Sequence, residues 1–208
     1  MTSDDIKINR GLTGVYFDRS ETTFIDGKEG VLEYRGYNIN DLAEHSTFEE
    51  TAYLLIHGKL PRQSELDEFD AELKSARELP ERIFDVIDLV KDSHPMDALR
   101  TAVSALASFD QDRNDNSIEA TIRKGNRLTS QVPSIVMAHH NIRQGKDPIK
   151  PNSTLNHAGN FLYMLDGNDP SKEAIDLMDK DFVLHADHGS NASAFTARVV
   201  AGTAADIH

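Results

Sequence analysis

Apolar residues from position 47 onward recur at intervals of three and four, the spacing that places side chains on one face of an α-helix. Two of these stripes are especially regular: Leu66, Phe69, Leu73 and Ala76, and then Met96, Leu99, Val103, Leu106 and Phe109. An amphipathic helix is stable when its apolar face packs against other elements. The periodicity therefore predicts a mostly α-helical fold.

Local signals mark where these helices begin and end. Thr47 and Glu50 have the spacing of a capping box, and Gly58 followed by Pro61 ends the helix that this box opens. A further helix is predicted to start at Pro95, and a long helix is predicted from about Ser117 to Arg143, with a kink at Pro133. Two more apolar stripes follow: Leu155, Ala158, Leu162 and Leu165, which Gly167 stops, and then Ile175, Met178 and Phe182. The last predicted helix runs from Ala192 to His208, with Phe195, Val199 and Thr203 facing the core.

The first part of the chain has a different pattern. Residues 22–25 and 31–34 are strand-like and flank residues 26–30, which contain two glycines and favour a hairpin turn. We expect residues 1–46 to form an extended and hairpin segment and residues 47–208 to form a helical domain. The predicted class is all-α with a small N-terminal β hairpin.

Composition limits the classes of function. The 208 residues carry a formal net charge of −13, which argues against sequence-independent nucleic-acid binding. The absence of cysteine excludes disulfides, thiolate catalysis and cysteine-ligated zinc. The sequence contains no run of eighteen apolar residues, so no membrane span is predicted. The acidic N-terminus does not resemble a signal peptide. A cytoplasmic protein is expected.

The segment from Leu184 to Ser193 combines histidine, amide and hydroxyl side chains around a predicted helix break. His185 and His188 are three residues apart and would share one helix face, Gly189 would end that helix, and Ser190 or Asn191 could cap the next one. The N-terminus of a helix favours an anion. Three interpretations are open: a metal site, two packed histidines, or a site for a polar ligand. The last is favoured.

The histidines have different expected roles. His185 continues the apolar stripe of its helix and is predicted to pack inside, whereas His188 stands where the helix break opens space for a ligand. His139 is expected to be packed and hydrogen-bonded, and His94 to cap or pack a helix entry. His157 could complete a metal site only as a third ligand, and its spacing does not recommend it.

These residues belong to an ordered set of segments: Arg10–Val15, Ile25–Gly27, Tyr34–Tyr37, Asp41–Ala43, Tyr53–Pro61, His94–Met96, Ala98–Arg100, Asn160–Leu165, Leu184–His188 and Asn191–Arg198. This set resembles the citrate synthase family, in its short bacterial and archaeal type. They span essentially the whole chain, in order. No single segment is decisive, but the ordered set is specific.

The resemblance implies part of the helical large domain of a homodimeric enzyme that joins acetyl-CoA to oxaloacetate and releases citrate and CoA. It implies no cofactor, because acetyl-CoA is a substrate. The histidine that helps to bind oxaloacetate carries over to His188, with Asp187 and Asn191 in supporting positions. Many members have glutamate where this chain has Gly189, which puts the support of His188 in doubt.

The resemblance also implies segments beyond His208: the two other histidine segments, the catalytic aspartate and the arginines that bind substrate. No catalytic residue is therefore assigned in this chain, and we expect an incomplete enzyme that lacks the small domain and the remainder of the large domain. Two alternatives stay open. One is a 2-methylcitrate synthase acting on propionyl-CoA, and the other is a non-catalytic helical module that dimerises or binds an acidic metabolite.

Overall fold

The computed structural model describes Gly14, residues 19–189 and residues 191–208. Most of the Arg10–Val15 segment, and the capping alternative at Ser190, lie outside the described residues. Within the described part, three short strands form one antiparallel sheet in the order β1 (Thr23–Asp26), β2 (Val31–Tyr34) and β3 (Tyr37–Asn38). The predicted hairpin between β1 and β2 is thereby confirmed, and β3 was not predicted.

The turn between β2 and β3 contains two residues with positive φ, Arg35 at 51° and Gly36 at 84°. A two-residue hairpin turn whose twist matches the flanking strands needs this backbone conformation at both positions. Glycine adopts it freely, whereas arginine does so at some cost. The turn returns the chain along β2 and leads directly into the first helix.

The remaining regular structure is helical, as predicted. The helices are α1 (Ile39–His45), α2 (Phe48–His57), α3 (Gln63–Ser75), α4 (Glu81–Leu89), α5 (Pro95–Leu106), α6 (Ile118–Arg143), α7 (His157–Asp166), α8 (Lys172–Leu184) and α9 (Ala192–Ala201). Helix α4 was not predicted from the sequence, and neither was α1, which lies in the segment expected to be extended. The predicted division at residue 46 stays a prediction. No helix in the described ranges combines the length and the apolar composition needed to cross a membrane.

Capping contacts explain why the predicted boundaries were accurate. The Thr47 hydroxyl accepts a hydrogen bond from the Glu50 N–H at 3.3 Å, and the Glu50 carboxylate accepts one from the Thr47 N–H at 2.8 Å. Gly58 ends α2 with φ 78°, and Gly167 ends α7 with φ 80°. These contacts satisfy backbone groups that a helix end leaves unpaired.

Two clusters of buried side chains form most of the core. One joins α4, α5 and α6 through Leu79, Ile83, Ile87, Ala102, Leu106, Ile135 and Ala138. The other joins the sheet to α1, α2 and α8 through Tyr34, Ile39, Leu42, Leu54 and Val183, and Ala186 packs against it. The second cluster is important for function because it lies directly beneath the segment that follows α8.

The predicted inward faces of two helices were partly wrong. The inward face of α5 is formed by Ala98, Ala102 and Leu106, whereas Met96 is 62% exposed and Phe109 is 47% exposed. Small side chains at an inward face let neighbouring helices approach, and an apolar stripe alone does not show this.

In α9 no residue is buried, and Val199, which was expected to face the core, is 55% exposed. The helix also ends at Ala201, with Gly202 at its C-cap, instead of continuing to His208. The alanine and valine residues of α9 lie on several sides of the helix, so its apolar residues do not define one inward face.

Candidate functional site

The candidate site is the turn of residues 185–189, which connects α8 to α9. Helix α8 is capped by Ser171 and ends at Leu184, with His185 in the C-cap position. His185 and His188 therefore do not share a helix face, because the helix ends before either of them. The predicted helix break exists, but it comes earlier than the sequence analysis placed it.

The predicted burial of His185 was wrong. Its side chain is 75% exposed, and its Nδ1 lies 2.8 Å from the Asp181 carbonyl oxygen and 3.4 Å from an Asp181 carboxylate oxygen. The inward residues of α8 are Asp179 and Val183. Two residues along a helix, the side-chain direction has turned by about 200°. Because Val183 points inward, the side chain of His185 points to solvent.

Tyr34, the last residue of β2, forms hydrogen bonds with the backbone of this turn. This residue is completely buried, and its hydroxyl oxygen lies 3.1 Å from the Leu184 carbonyl oxygen and 3.0 Å from that of Asp187. The same oxygen accepts a hydrogen bond from the Asp187 N–H at 3.3 Å. One side chain thus contacts the backbone both at the end of α8 and at Asp187.

A second set of contacts fixes the Asp187 carboxylate. One of its oxygens accepts hydrogen bonds from the Thr23 hydroxyl and, at 3.1 Å, from the Gly189 N–H. Gly189 has φ +61°, and a Cβ built on it would lie 3.8 Å from Cβ of Thr23 and 3.9 Å from Cδ1 of Ile25. Strand β1 therefore covers one side of the turn.

His188 stands between these two fixed residues. Its side chain is exposed, and its ring forms no hydrogen bond with any other residue that the structure describes. The next residues are also ordered by contacts: the Asn191 N–H donates to the Gly189 carbonyl at 2.9 Å, and the Asn191 side chain caps α9 by accepting from the Ala194 N–H at 2.9 Å. Among the described residues, His188 accordingly presents an unpartnered imidazole at the entrance to α9, whose N-terminus is electropositive.

Asp187 ties the turn together and Asn191 caps α9. Their supporting roles and the binding of oxaloacetate by His188 remain predictions. Tyr34 and Thr23 were missed by the sequence analysis. Both stand in the predicted hairpin, but no spacing links them to a turn that lies some 150 residues later.

The other histidines lie elsewhere. His157 is buried at the start of α7, with its ring centroid 4.6 Å from that of Phe48, and burial, assisted by the Arg77 charge, lowers its pKa to about 4. His139 is packed and bonded to the Lys91 carbonyl at 3.2 Å, and His94 caps α5, both as predicted. Within the described ranges, no group of three or more His, Asp or Glu side chains is arranged to hold a metal ion.

Beneath the turn, α8 buries a carboxylate. Asp179 is 8% exposed and accepts a hydrogen bond from the Phe48 N–H at the start of α2, at 3.3 Å. Burial raises the pKa of Asp179 to about 6, and the nearby charges of Glu49, Asp176 and Glu50 act in the same direction. The helix that leads into the turn therefore contains a titratable group in the neutral pH range.

Comparisons with known proteins agree on one family. The sequence model described as "Citrate synthase, C-terminal domain" matches residues 11–208. A citrate synthase of Deinococcus radiodurans is 46% identical over 202 residues, covering 97% of this chain and 54% of that protein. A citrate synthase of Haloferax volcanii is 42% identical, with 97% and 55% covered.

The fold comparison gives the same result. The crystal structure of citrate synthase from Pyrobaculum aerophilum superposes with a TM-score of 0.94 and 36% identity, covering all of this chain and 54% of that one. The chain thus spans about half the length of the relatives that it matches. Because sequence and fold agree over nearly every residue, this chain belongs to the citrate synthase family.

Proposed function

We propose that this chain is a portion of a citrate synthase, the enzyme that condenses acetyl-CoA with oxaloacetate to give citrate and CoA, and that His188 contacts oxaloacetate. The observation that carries the proposal is the geometry at His188. Its ring is exposed and unpartnered among the described residues, while the residues on either side of it are fixed by hydrogen bonds. A side chain that is free within a rigid frame is suited to meet a ligand.

The chemistry of the substrate fits this site. Oxaloacetate carries two carboxylates, and an imidazole N–H donates a short, strong hydrogen bond to such a group. The N-terminus of α9 adds positive potential beside His188. In this proposal Asp187 and Asn191 support the site, because the first holds the turn and the second caps the helix.

The chain alone is proposed to be inactive. Enolisation of acetyl-CoA needs a positioned acid and base, and the family's aspartate and histidine for that step belong to segments expected beyond His208. The complete enzyme is proposed to be a cytoplasmic homodimer that needs no cofactor, since the reaction consumes acetyl-CoA as a substrate.

A fusion protein tests the proposal. Residues 1–208 would be joined to the part of the Deinococcus radiodurans citrate synthase that lies outside its alignment with this chain, and thiol release from acetyl-CoA would be followed with and without oxaloacetate. We expect oxaloacetate-dependent release from the fusion, and none from either part alone. An inactive, folded fusion would contradict the proposed reaction, and activity of the 208-residue chain alone would contradict the proposed division of the chemistry.

The two acyl substrates are separated by the same assay on the complete enzyme that contains these 208 residues, because in the fusion the segments beyond position 208 come from another protein. We expect the complete enzyme to prefer acetyl-CoA, in line with the names of the citrate synthases to which the chain is similar. A preference for propionyl-CoA would assign the chain to 2-methylcitrate synthesis instead. The coding sequence downstream of position 208 gives an independent check, because a continuing reading frame with further histidine segments would support the enzyme over a stand-alone helical module.

A further inference from the structure

The carbonyl groups at the end of α8 need hydrogen-bond donors from outside the helix. The last carbonyl groups of a helix have no partner within the helix, and the turn after Leu184 is too irregular to supply them all. The Tyr34 hydroxyl meets this need from β2, with its oxygen 3.1 Å from the Leu184 carbonyl and 3.0 Å from the Asp187 carbonyl. A hydroxyl has one proton and two lone pairs, so it can share its proton between these two carbonyls and still accept from the Asp187 N–H.

The second contact to the turn comes from the same place in the sheet. Thr23 and Tyr34 are directly opposite each other in the antiparallel register of β1 and β2. Residues opposite each other in such a pair present their side chains on the same face. The Thr23 hydroxyl on that face donates to the Asp187 carboxylate. One cross-strand pair therefore binds the backbone and the side chain of a single residue in the turn.

We propose that Tyr34 and Thr23 are positioning residues for His188. They do not act on substrate themselves; they fix Asp187, and through it the direction in which the neighbouring imidazole points. The inference rests on the proposed function, because it assigns His188 to oxaloacetate. It adds that the small N-terminal sheet is part of the substrate site, as the support that holds it.

The chemistry of Tyr34 suits this role. Burial raises the pKa of its phenol, so the hydroxyl keeps its proton at neutral pH and remains a donor to the turn. Phenylalanine would fill the same core volume beside Leu42 and Val183 but would leave the turn unpaired. Tyr37 offers a matched control, because it faces Tyr34 in the register of β2 and β3 and is 43% exposed.

The first experiment uses the 208-residue chain. Amide hydrogen exchange would be measured in the wild type, in Tyr34→Phe and in Tyr37→Phe, with circular dichroism to check folding. We expect exchange at the amide of Asp187 to be about tenfold faster in Tyr34→Phe only, because that N–H loses its acceptor. Thr23→Val, which keeps the shape of the side chain, should speed exchange at the Gly189 amide. Unchanged exchange in both variants would overturn the inference.

The second experiment uses the fusion protein described above. Loss of one hydrogen bond in the support is expected to raise KM for oxaloacetate about five- to tenfold in Tyr34→Phe, with kcat and the KM for acetyl-CoA changed less than about twofold. Destabilisation alone would lower the amount of active enzyme without this split. An inactive wild-type fusion would contradict the proposed function, whereas an active one with an unchanged oxaloacetate KM in both Tyr34→Phe and Thr23→Val would overturn the positioning role alone.

Discussion

Replacing Asp179 by asparagine is expected to stabilise the chain at neutral pH and to have little effect near pH 4. The carboxyl group is 8% exposed, and its pKa rises from 3.8 to about 6 because it is buried close to other negative charges. Between these two values the folded chain holds a proton that the unfolded chain has released. The free energy of unfolding therefore falls as the pH rises through this window.

The size of the effect follows from the pKa difference. A tenfold change in the proton-binding constant corresponds to about 1.4 kcal/mol, so a pKa raised from 3.8 to about 6 costs about 3 kcal/mol once the pH is above both values. Asparagine cannot ionise, and its side-chain oxygen can still accept the hydrogen bond from the Phe48 N–H. The variant should therefore gain about 2–3 kcal/mol at pH 7.5.

Urea unfolding followed by far-UV circular dichroism at pH 4.5, 6 and 7.5 would measure this gain. Asp181→Asn is the matched control, because Asp181 lies on the same helix, is 58% exposed and faces the exposed His185, at 3.4 Å. Its effect should stay within about 0.5 kcal/mol at every pH. A gain for Asp179→Asn that did not grow with pH, or a loss at pH 7.5, would refute the account of its burial.

Three further predictions concern the site and its surroundings. In the fusion protein, His188→Ala should weaken oxaloacetate binding about ten- to a hundredfold, whereas the exposed His185→Ala should change it little; the reverse order would show that the two are wrongly assigned. The lowered pKa of His157 costs the wild type stability as the pH falls below 6.5. Between pH 7.5 and pH 5, His157→Phe should therefore gain about 2 kcal/mol in free energy of unfolding over the wild type. Urea unfolding with the same pH profile in both proteins would contradict this. Gly189→Ala should lose about 1 kcal/mol because φ is +61°, seen as a lower Tm, and an unchanged Tm would argue against strain.

Features governed by neighbouring residues could be predicted from the sequence. The capping box at Thr47, the start of α5 after His94 and the glycine stop after α7 all depend on backbone groups within four residues of the signal. Helix α4 was missed although Ile83 and Ile87 carry the spacing of a buried face. Its N-cap position is Pro80, which offers no side-chain cap, so the usual sign of a helix start was absent.

The candidate site was only partly predictable, for a different physical reason. The position of His188 in a break between two helices could be predicted, because glycine and asparagine mark that break locally. The orientation of His185 depended on where α8 ends, and extending the apolar stripe past Leu184 gave the wrong side. The contacts of Tyr34 were beyond prediction from spacing, since packing of the whole domain brings β2 to the end of α8.

The separation between Tyr34 and Asp187 also sets when the site can form. The two residues are 153 positions apart in the chain. At about 5–20 residues per second, a ribosome needs about 8–30 s to proceed from one to the other. Contacts between residues so far apart in the chain slow folding, because the loop between them must close before they form. Helices α2 to α6 are therefore synthesised before the hairpin can meet α8, and the turn that presents His188 is complete only after α8 has been made.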